Sequence, residues 1–465
     1  MALLYHLGVL LALLTMCQSE DPGAYLQLDS CALKNVVIGI LSNKETLRKM
    51  GESQEAKKAL GQKGHSPIKG ISHIKMEKLE FSNISLTFLS GIGIQMFVTN
   101  KIQISGKSFL GGKTEMKMEV NIITKTSLEK GDANCPKIVK TDCTTILVKV
   151  EANLPKGILP NVMNNFLDKN LKKLLPSTLC PAVDFILSEV NKRLCTKDIS
   201  LPFGKSGSLH YMESPISTVT EEHVEIEFNA QVFNGENTIY PSENTTNSFV
   251  LPSYQETTTL FLTSTFLGCA FTVFQEEGAF NLLASEDDLA NSGAMSVSTL
   301  SDILPELPGG LQDYKINISV NKSAQVTLDS SKALLHLYST MEVTASSPDS
   351  TLNIFIIYLH MNFKIQFSVN ENSLNSVLSL DRTFLSLESS SVGQFDVEDL
   401  KEFVTSVIEK VYTPAINVEL QTAIPLPDII HILDINFDNA QIETDKDILL
   451  IPVNVCKAWD GPLST

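Results

Sequence analysis

The sequence predicts an α+β protein built as two similar halves, each a meander of antiparallel strands followed by an amphipathic helix. Three observations carry that reading. Apolar and polar residues alternate between about 71 and 152, helical stripes follow, and the same order returns after a polar segment at 233–253. The 465 residues are 43% hydrophobic and 19% charged, enough for substantial cores and too long for one ordinary domain.

Met1 to Thr15 is an uncharged apolar run followed by Cys17-Gln18-Ser19. It is too short to span a bilayer and reads as a secretory signal over residues 1–19, which places the mature chain in an oxidising compartment. Residues 24–60 read as helix, with Leu26, Leu33, Val36, Val37, Ile40, Leu41 and Leu47 near a 3.6-residue period. Strands follow, marked by Ile92, Ile94 and Met96, by Ile102 and Ile104, by Val120 and Ile122, and by Ile146, Val148 and Val150. Pro160 opens a helix with Met163, Phe166, Leu167, Leu171 and Leu174 on one face. Pro176-Ser177 then breaks the chain and starts a second helix carrying Val183, Ile186, Leu187, Val190 and Leu194.

The segment 233–253, rich in Asn, Ser, Thr and Pro, reads as a linker between a unit at 20–232 and one at 254–465. Beyond it the sequence predicts a helical stretch near 285–306 and strands at 316–320, 326–328, 363–369 and 377–387. A long helix over about 396–421 follows, with Leu400, Phe403, Val404, Val407, Ile408 and Val411 on one face. Asp396 is its N-cap, and Glu398 and Asp399 suit the first turn. The tail 429–456 reads as strand again.

Charge is uneven. The net charge of −17 divides into +4 over residues 1–235 and −21 over 236–465. An acidic chain excludes the many lysine– and arginine–phosphate contacts of nucleic-acid binding, and a simple electrostatic grip on anionic membranes. Catalytic patterns are thin. Gly106 to Thr114 has the wrong glycine spacing for a phosphate loop and runs into the alternating Met116-Lys117-Met118-Glu119-Val120, so it reads as a turn between strands. The histidines at 65, 73, 210, 223, 336, 360 and 431 show no metal-ligand spacing, and no hydrolase or zinc-protease signature occurs. No enzyme, cofactor or metal is expected. Seven cysteines remain after Cys17, an odd number, so at least one is left over after intrachain pairing. Four glycosylation sequons stand at Asn83, Asn244, Asn317 and Asn321.

The order of motifs resembles the bactericidal/permeability-increasing protein family, which includes lipopolysaccharide-binding protein, the plasma lipid transfer proteins and the palate-lung-nasal proteins; the long, B branch of the last is the best match. In the first half the carriers are Asp21-Pro22-Gly23-Ala24, read as opening the first helix, Val98-Thr99-Asn100 through Ile104-Ser105-Gly106-Lys107, and Leu179-Cys180-Pro181-Ala182-Val183-Asp184. In the second half they are Phe274-Gln275-Glu276-Glu277-Gly278, Leu378-Ser379-Leu380-Asp381-Arg382 and Pro425-Leu426-Pro427-Asp428. The resemblance implies a two-domain boomerang of tubular lipid-binding halves. Each half would be a twisted antiparallel β-barrel wrapped on a long amphipathic helix, the two joined by a central β-sheet. It implies a disulfide between Cys143 and Cys180; Cys135 with Cys195 is a second candidate pair, and Cys31, Cys269 and Cys456 are left unassigned.

The function implied is a secreted, extracellular, non-enzymatic lipid binder, with the endoplasmic reticulum or Golgi lumen as the alternative location. Its partner would be a phospholipid or similar amphiphile, with transient membrane contact, as a monomer or weak dimer. The pocket candidates are Leu26, Leu28, Leu33, Val37, Met163, Phe166 and Leu167 in the first half, and Phe403, Val407 and Val411 in the second. Family members that neutralise endotoxin carry a densely cationic N-terminal tip. Here Glu115 and Glu119 interleave with Lys101, Lys107, Lys113 and Lys117, so binding of lipopolysaccharide is expected to be weak or absent. The rival reading is a secretory-pathway interaction protein with vestigial pockets, acting through its acidic C-terminal half.

Overall fold

The computed structural model describes residues 23–464, save 44, 46–70, 109–111, 132–134, 154–159, 196–199, 241–250, 253–256, 305, 348–349, 428–429, 431–432 and 457–462. The signal segment, Leu47 and Asn244 lie outside the described residues, as do Asp21, Pro22 and most of the 241–253 stretch.

The first described element is a strand. β1 (Ala24–Leu28) pairs with β8 (Val224–Asn234) on one side and β10 (Thr258–Thr263) on the other. Leu26 and Leu28 are therefore strand residues, not members of a helical stripe, and Asp21-Pro22-Gly23-Ala24 does not open a helix. The reason is Asp29. Its Oδ1 accepts from the Ala32 N–H (2.8 Å) and from the Thr258 hydroxyl (2.9 Å), so helix α1 (Ser30–Ser42) starts only after it. β1 is buried on both faces, Leu26 and Leu28 in the main core and Tyr25 against Phe261, Ile448 and Leu450, while Gln27 on the Tyr25 face donates to the Glu225 carboxylate; its alternation spans only five residues and runs straight into the helical stripe.

Strands β2 (Ile71–Leu89), β3 (Gly93–Ser108), β4 (Lys113–Lys130) and β5 (Pro136–Asn153) form an antiparallel meander. A short strand, Leu463–Ser464, pairs with β2 at Glu80 and Phe81. The alternation at 71–152 is realised with two corrections. Ile92 lies in the β2–β3 turn and is 65% exposed. In β5, Ile146 and Val148 face outward (46% and 53% exposed) because the pairing skips a residue: Glu119 opposes Lys149 but Val120 opposes Leu147. That bulge turns Leu147 and Val150 inward instead.

Helix α2 (Pro160–Leu194) is a single 35-residue element, not two. Pro176 and Pro181 lie inside it, each removing an N–H at a cost of about 3 kcal/mol. The stripe Leu171, Leu175, Leu179, Val183, Leu187, Val190 and Leu194 is buried straight through both prolines, and the Cys143–Cys180 disulfide ties the helix to β5. Packing outweighs the breaker. Cys135 bonds Cys195, and Cys31 bonds Cys456, leaving Cys269 as the free thiol among the described residues, buried and with its pKa pushed up to about 12 by that burial.

The central sheet runs, in spatial order, β18 (Glu443–Asp445), β19 (Ile448–Val453), β10, β1, β8, β7 (Gly207–Val219) and β6 (Ser200–Phe203), with β9 (Asn237–Ile239) beside β8. Residues 233–239, expected as the start of a linker, belong to this sheet. Directly after β10 comes α3 (Ser264–Glu276), which the sequence reading missed. Phe266, Leu267, Ala270, Phe271, Val273 and Phe274 are all buried, so no polar face marks its period.

The second half repeats the first. Its sheet runs β11 (Leu282–Ser285), β12 (Gln312–Val320), β14 (Lys332–Ser347), β15 (Ser350–Asn370), β16 (Ser373–Ser390) and β17 (Ile424–Pro425), with β13 (Gln325–Asp329) beside β14. The helix expected at 285–306 is divided into Glu286–Ser292, a 3-10 turn and Leu300–Ile303, because Gly293 ends the first piece at φ 68°. The last long helix, residues 397–419, begins as expected with Asp396 accepting from the Glu398 N–H, and contains a π turn at Ile408–Tyr412. Pro414 has no N–H to offer Lys410, and Thr413 bonds back to the Ile408 carbonyl through its own N–H and hydroxyl. In the tail only Glu443–Asp445 and Ile448–Val453 are strand among the described residues of 429–456; Asp434 and Asn439, at φ 56° and 60°, turn the chain before them.

One device appears in both halves. The Asn191 side chain on α2 donates to the Ile138 carbonyl (2.9 Å) and accepts from its N–H (2.8 Å). Asn417 on the C-terminal helix does the same for Leu378 on β16, at 2.9 and 2.8 Å. β5 is an edge strand, and β16 is paired on its outer side only at Ser373 and Leu374, so each carboxamide stands in for a missing neighbour strand.

Replacing Asn417 by Leu leaves the Leu378 N–H and carbonyl without these partners and is expected to lower stability by about 2 kcal/mol in denaturant unfolding. Removing the Cys31–Cys456 bond by Cys31→Ser with Cys456→Ser is expected to cost about 4–5 kcal/mol, since it closes nearly the whole chain (separation 425). An unchanged unfolding midpoint in either variant contradicts the role given to that contact.

Candidate functional site

Each half encloses an apolar interior between its sheet and its helices. In the first half the inward face of the meander carries Ile84, Met96, Val98, Ile102, Met116, Met118 and Val120, all buried. Cross-strand pairing sets Ile102 beside Met118 and Ile104 beside Met116. Helices α1 and α2 supply the opposing wall. Leu33 and Val37 are buried on α1, where the helical stripe placed them. Met163, Phe166 and Leu167 fall within α2, but their side chains lie outside the described residues. Leu26 and Leu28, fully buried in the central sheet, are not brought onto that stripe.

In the second half Phe403 and Val407 are fully buried on the C-terminal helix, and Val411 is half-buried against the same core. Facing them are the inward residues of β14 and β15, among them Leu337, Met341, Met361 and Phe363. The pocket candidates rest on helix faces and on the architecture that the family resemblance implies. The strand side, with Met96, Met116, Met118, Met341 and Met361, was missed, although the period-2 pattern marks it. Methionine suits such a wall, since its flexible thioether conforms to irregular apolar shapes.

A cleft of about 520 Å³ opens where the start of β5 meets the last turns of α2. Ile138 and Leu187 form its apolar floor, the Cys135–Cys195 disulfide closes one side, and Lys137, Lys140 and Lys192 stand at its margin. Lys140 donates to Asp184 (2.5 Å) and to the Cys180 carbonyl (3.2 Å), while Lys192 pairs with Glu189 (2.6 Å).

The buried polar groups serve the fold. The Tyr412 hydroxyl donates to the Phe280 carbonyl and that of Tyr211 to the Pro425 carbonyl, at 2.8 and 2.9 Å, and burial pushes both phenol pKa values up. Asp29 lies beside Cys31 and Cys456, but those sulfurs are joined in a disulfide and are not thiolate ligands. His336 is held between Thr327 and Asn362 (2.9 Å each).

On the outer face of the first sheet the lysines are matched by carboxylates. Lys113 pairs with Glu115 (2.8 Å), Lys149 with Glu151 (2.7 Å), Lys78 with Glu80, and Lys101 opposes Glu119 across β3 and β4. Glu77 is held below its usual carboxylate range first by the Ser105 hydroxyl and also by Lys75. This face is a checkerboard of both signs. No described helix is long and apolar enough to cross a membrane.

Comparison with known proteins gives this geometry a lineage. The profile of the LBP / BPI / CETP family, N-terminal domain, matches residues 27–190, and that of the C-terminal domain of the same family matches residues 208–456. The human BPI fold-containing family B member 6 is 31% identical over 94% of this chain and 96% of its own length. Bactericidal permeability-increasing protein of Sebastes schlegelii is 21% identical over 96% of this chain and 98% of its own. The crystal structure of lipopolysaccharide binding protein superposes with a TM-score of 0.57 at 16% identity, covering 93% of this chain and 98% of that one, which shows a shared fold. With both domain profiles in tandem and a relative this similar along nearly its whole length, the chain belongs to the LBP / BPI / CETP family.

Proposed function

We propose that this protein is a secreted or lumenal, non-enzymatic lipid binder that shelters the acyl chains of a phospholipid-like amphiphile in its two interiors. The observation that carries this reading is the paired arrangement of a methionine-bearing strand wall opposite an apolar helix face in each half, side chains that pack together in one core here and have to part around a guest. Such a wall recognises an acyl chain by burial alone, each methylene contributing about 0.8 kcal/mol. Membership in the family supports it. In the first half the cleft beside β5 offers a polar head group Lys137 at its margin, next to Lys140 and Lys192, which are held by Asp184 and Glu189.

The matched charges on the outer face of β2–β5 favour a ligand chosen by its apolar part over a densely phosphorylated glycolipid. Secretion is supported by the apolar N-terminus and by three disulfides, which persist in an oxidising compartment.

Protein purified from a eukaryotic secretory host is expected to carry one or two phospholipids per chain in native mass spectrometry, identified after solvent extraction. Val411→Phe, which fills space at a half-buried site without adding charge, is expected to keep the fold and lower that stoichiometry. An empty chain that also refuses added phospholipid vesicles contradicts the proposal, and salt-sensitive capture of a basic protein by the same empty chain points to the acidic C-terminal half as the working surface.

A further inference from the structure

The outer face of the second sheet carries a row of rings. Tyr338 on β14 opposes His360 on β15, which opposes Phe384 on β16. Tyr338 and His360 stack with centroids 4.4 Å apart at 14°, and His360 and Phe384 at 5.5 Å and 28°. Phe384 is 53% exposed, a large apolar surface to leave in water. Burial, and next the neighbouring His336, lower the His360 pKa, which favours a neutral ring in the row.

The row continues beyond Tyr338 to a sequon. Val320 on β12 opposes Ser339, and the Asn321 N–H donates to the Tyr338 carbonyl at 3.0 Å, so Asn321 takes the next register position directly opposite Tyr338. Val320 and Ser339 point into the core, so Asn321, which is exposed, and Tyr338 share the outer face. Lys322, the middle residue of Asn321-Lys322-Ser323, sets its ammonium 5.1 Å from the Tyr338 ring centre. From Asn321 to Phe384 is three strand spacings, roughly 14 Å.

The other described sequons have no such row. Asn83 leads across Thr99 and Asn121 to Ile146, and Asn317 across Glu342 and Ile356 to Ser389. The three rings stand on edge with their faces turned to one another, so the row offers the outside its ring edges and the outer face of the exposed Phe384, on a stretch of β16 that has no described strand paired beyond it. The C–H face of a pyranose can lie on that one face, and the first sugars of an N-linked glycan can reach along a strip of this length.

We propose that Asn321 carries an N-linked glycan whose core sugars run along the ring edges of the Tyr338–His360–Phe384 row and cover the exposed Phe384 at its end. This rests on the secretory reading above, because the glycan is added in the lumen. It also explains why an aromatic strip is tolerated on the outside of a long sheet, where a bare one invites association.

The test uses the full chain secreted from mammalian cells. Glycopeptide mass spectrometry is expected to find Asn321 occupied. Under native conditions, peptide N-glycosidase is expected to release that glycan about tenfold faster from Phe384→Ser than from the wild type, the factor that ~1.4 kcal/mol of contact corresponds to, with equal rates after denaturation. As a second measurement that keeps all three rings, Tyr338 is expected to be iodinated several-fold faster in Asn321→Gln than in the glycosylated protein. A chain secreted with Asn83 or Asn317 occupied and Asn321 bare overturns the inference alone. So do equal native release rates together with unchanged Tyr338 reactivity. A chain retained in the cell with every sequon bare overturns the secretory reading and this inference with it.

Discussion

The structure depends on a five-residue strand. β1 is inserted between β8 and β10, about two hundred residues or more away along the chain, and β10 in turn pairs with β19 near the C-terminus. The central sheet is therefore assembled from the beginning, middle and end of the sequence. Asp29 fixes where β1 stops, by capping α1 and bonding Thr258 on β10 at once, and the Cys31–Cys456 bond locks α1 to the segment after β19 two residues later. Such pairings close very long loops, so the two halves can form their local meanders before the sheet that unites them is complete.

The halves are repeats in physics more than in sequence. Each meander ends on an outer strand whose backbone is satisfied by one asparagine on the helix that follows, Asn191 for Ile138 and Asn417 for Leu378. The halves differ in how the helix is held. α2 carries two internal prolines and is fastened by Cys143–Cys180 and Cys135–Cys195, while the C-terminal helix absorbs its proline in a π turn and relies on packing of Phe403, Val407 and Tyr412. The crosslinked half also has a cleft beside its helix.

What the sequence revealed follows from what each segment buries. Strands 71–152 have one wet face, so their alternation was legible, and the Asp396 cap was readable from a local pattern. α3 has no wet face, and an apolar run without a polar side carries no period to read, while β1 alternates over only five residues before the helical stripe begins. The bulge that exposes Val148 is a property of pairing with β4, invisible in β5 alone. Pro176 misled because the breaker is local and the stripe that overrides it is not. The pair Cys31–Cys456 lies 425 residues apart and no spacing suggests it. Of the apolar interior, the burial of Leu33, Val37, Phe403 and Val407 was legible in the helical stripes, and the methionine-bearing strand side stood in the period-2 alternation, where the helix faces drew attention away from it.

Burial on this scale admits two physical outcomes, a solid core or a tube occupied by a guest of the same polarity, and the proposed acyl-chain binding requires the second. An experimental density map of the protein taken directly from a secretory host distinguishes them most directly. Continuous unbranched density running between α2 and the wall formed by Met96, Met116 and Met118 is the predicted result. Side chains of α2 packed directly onto those three methionines, with no density between them, would contradict it.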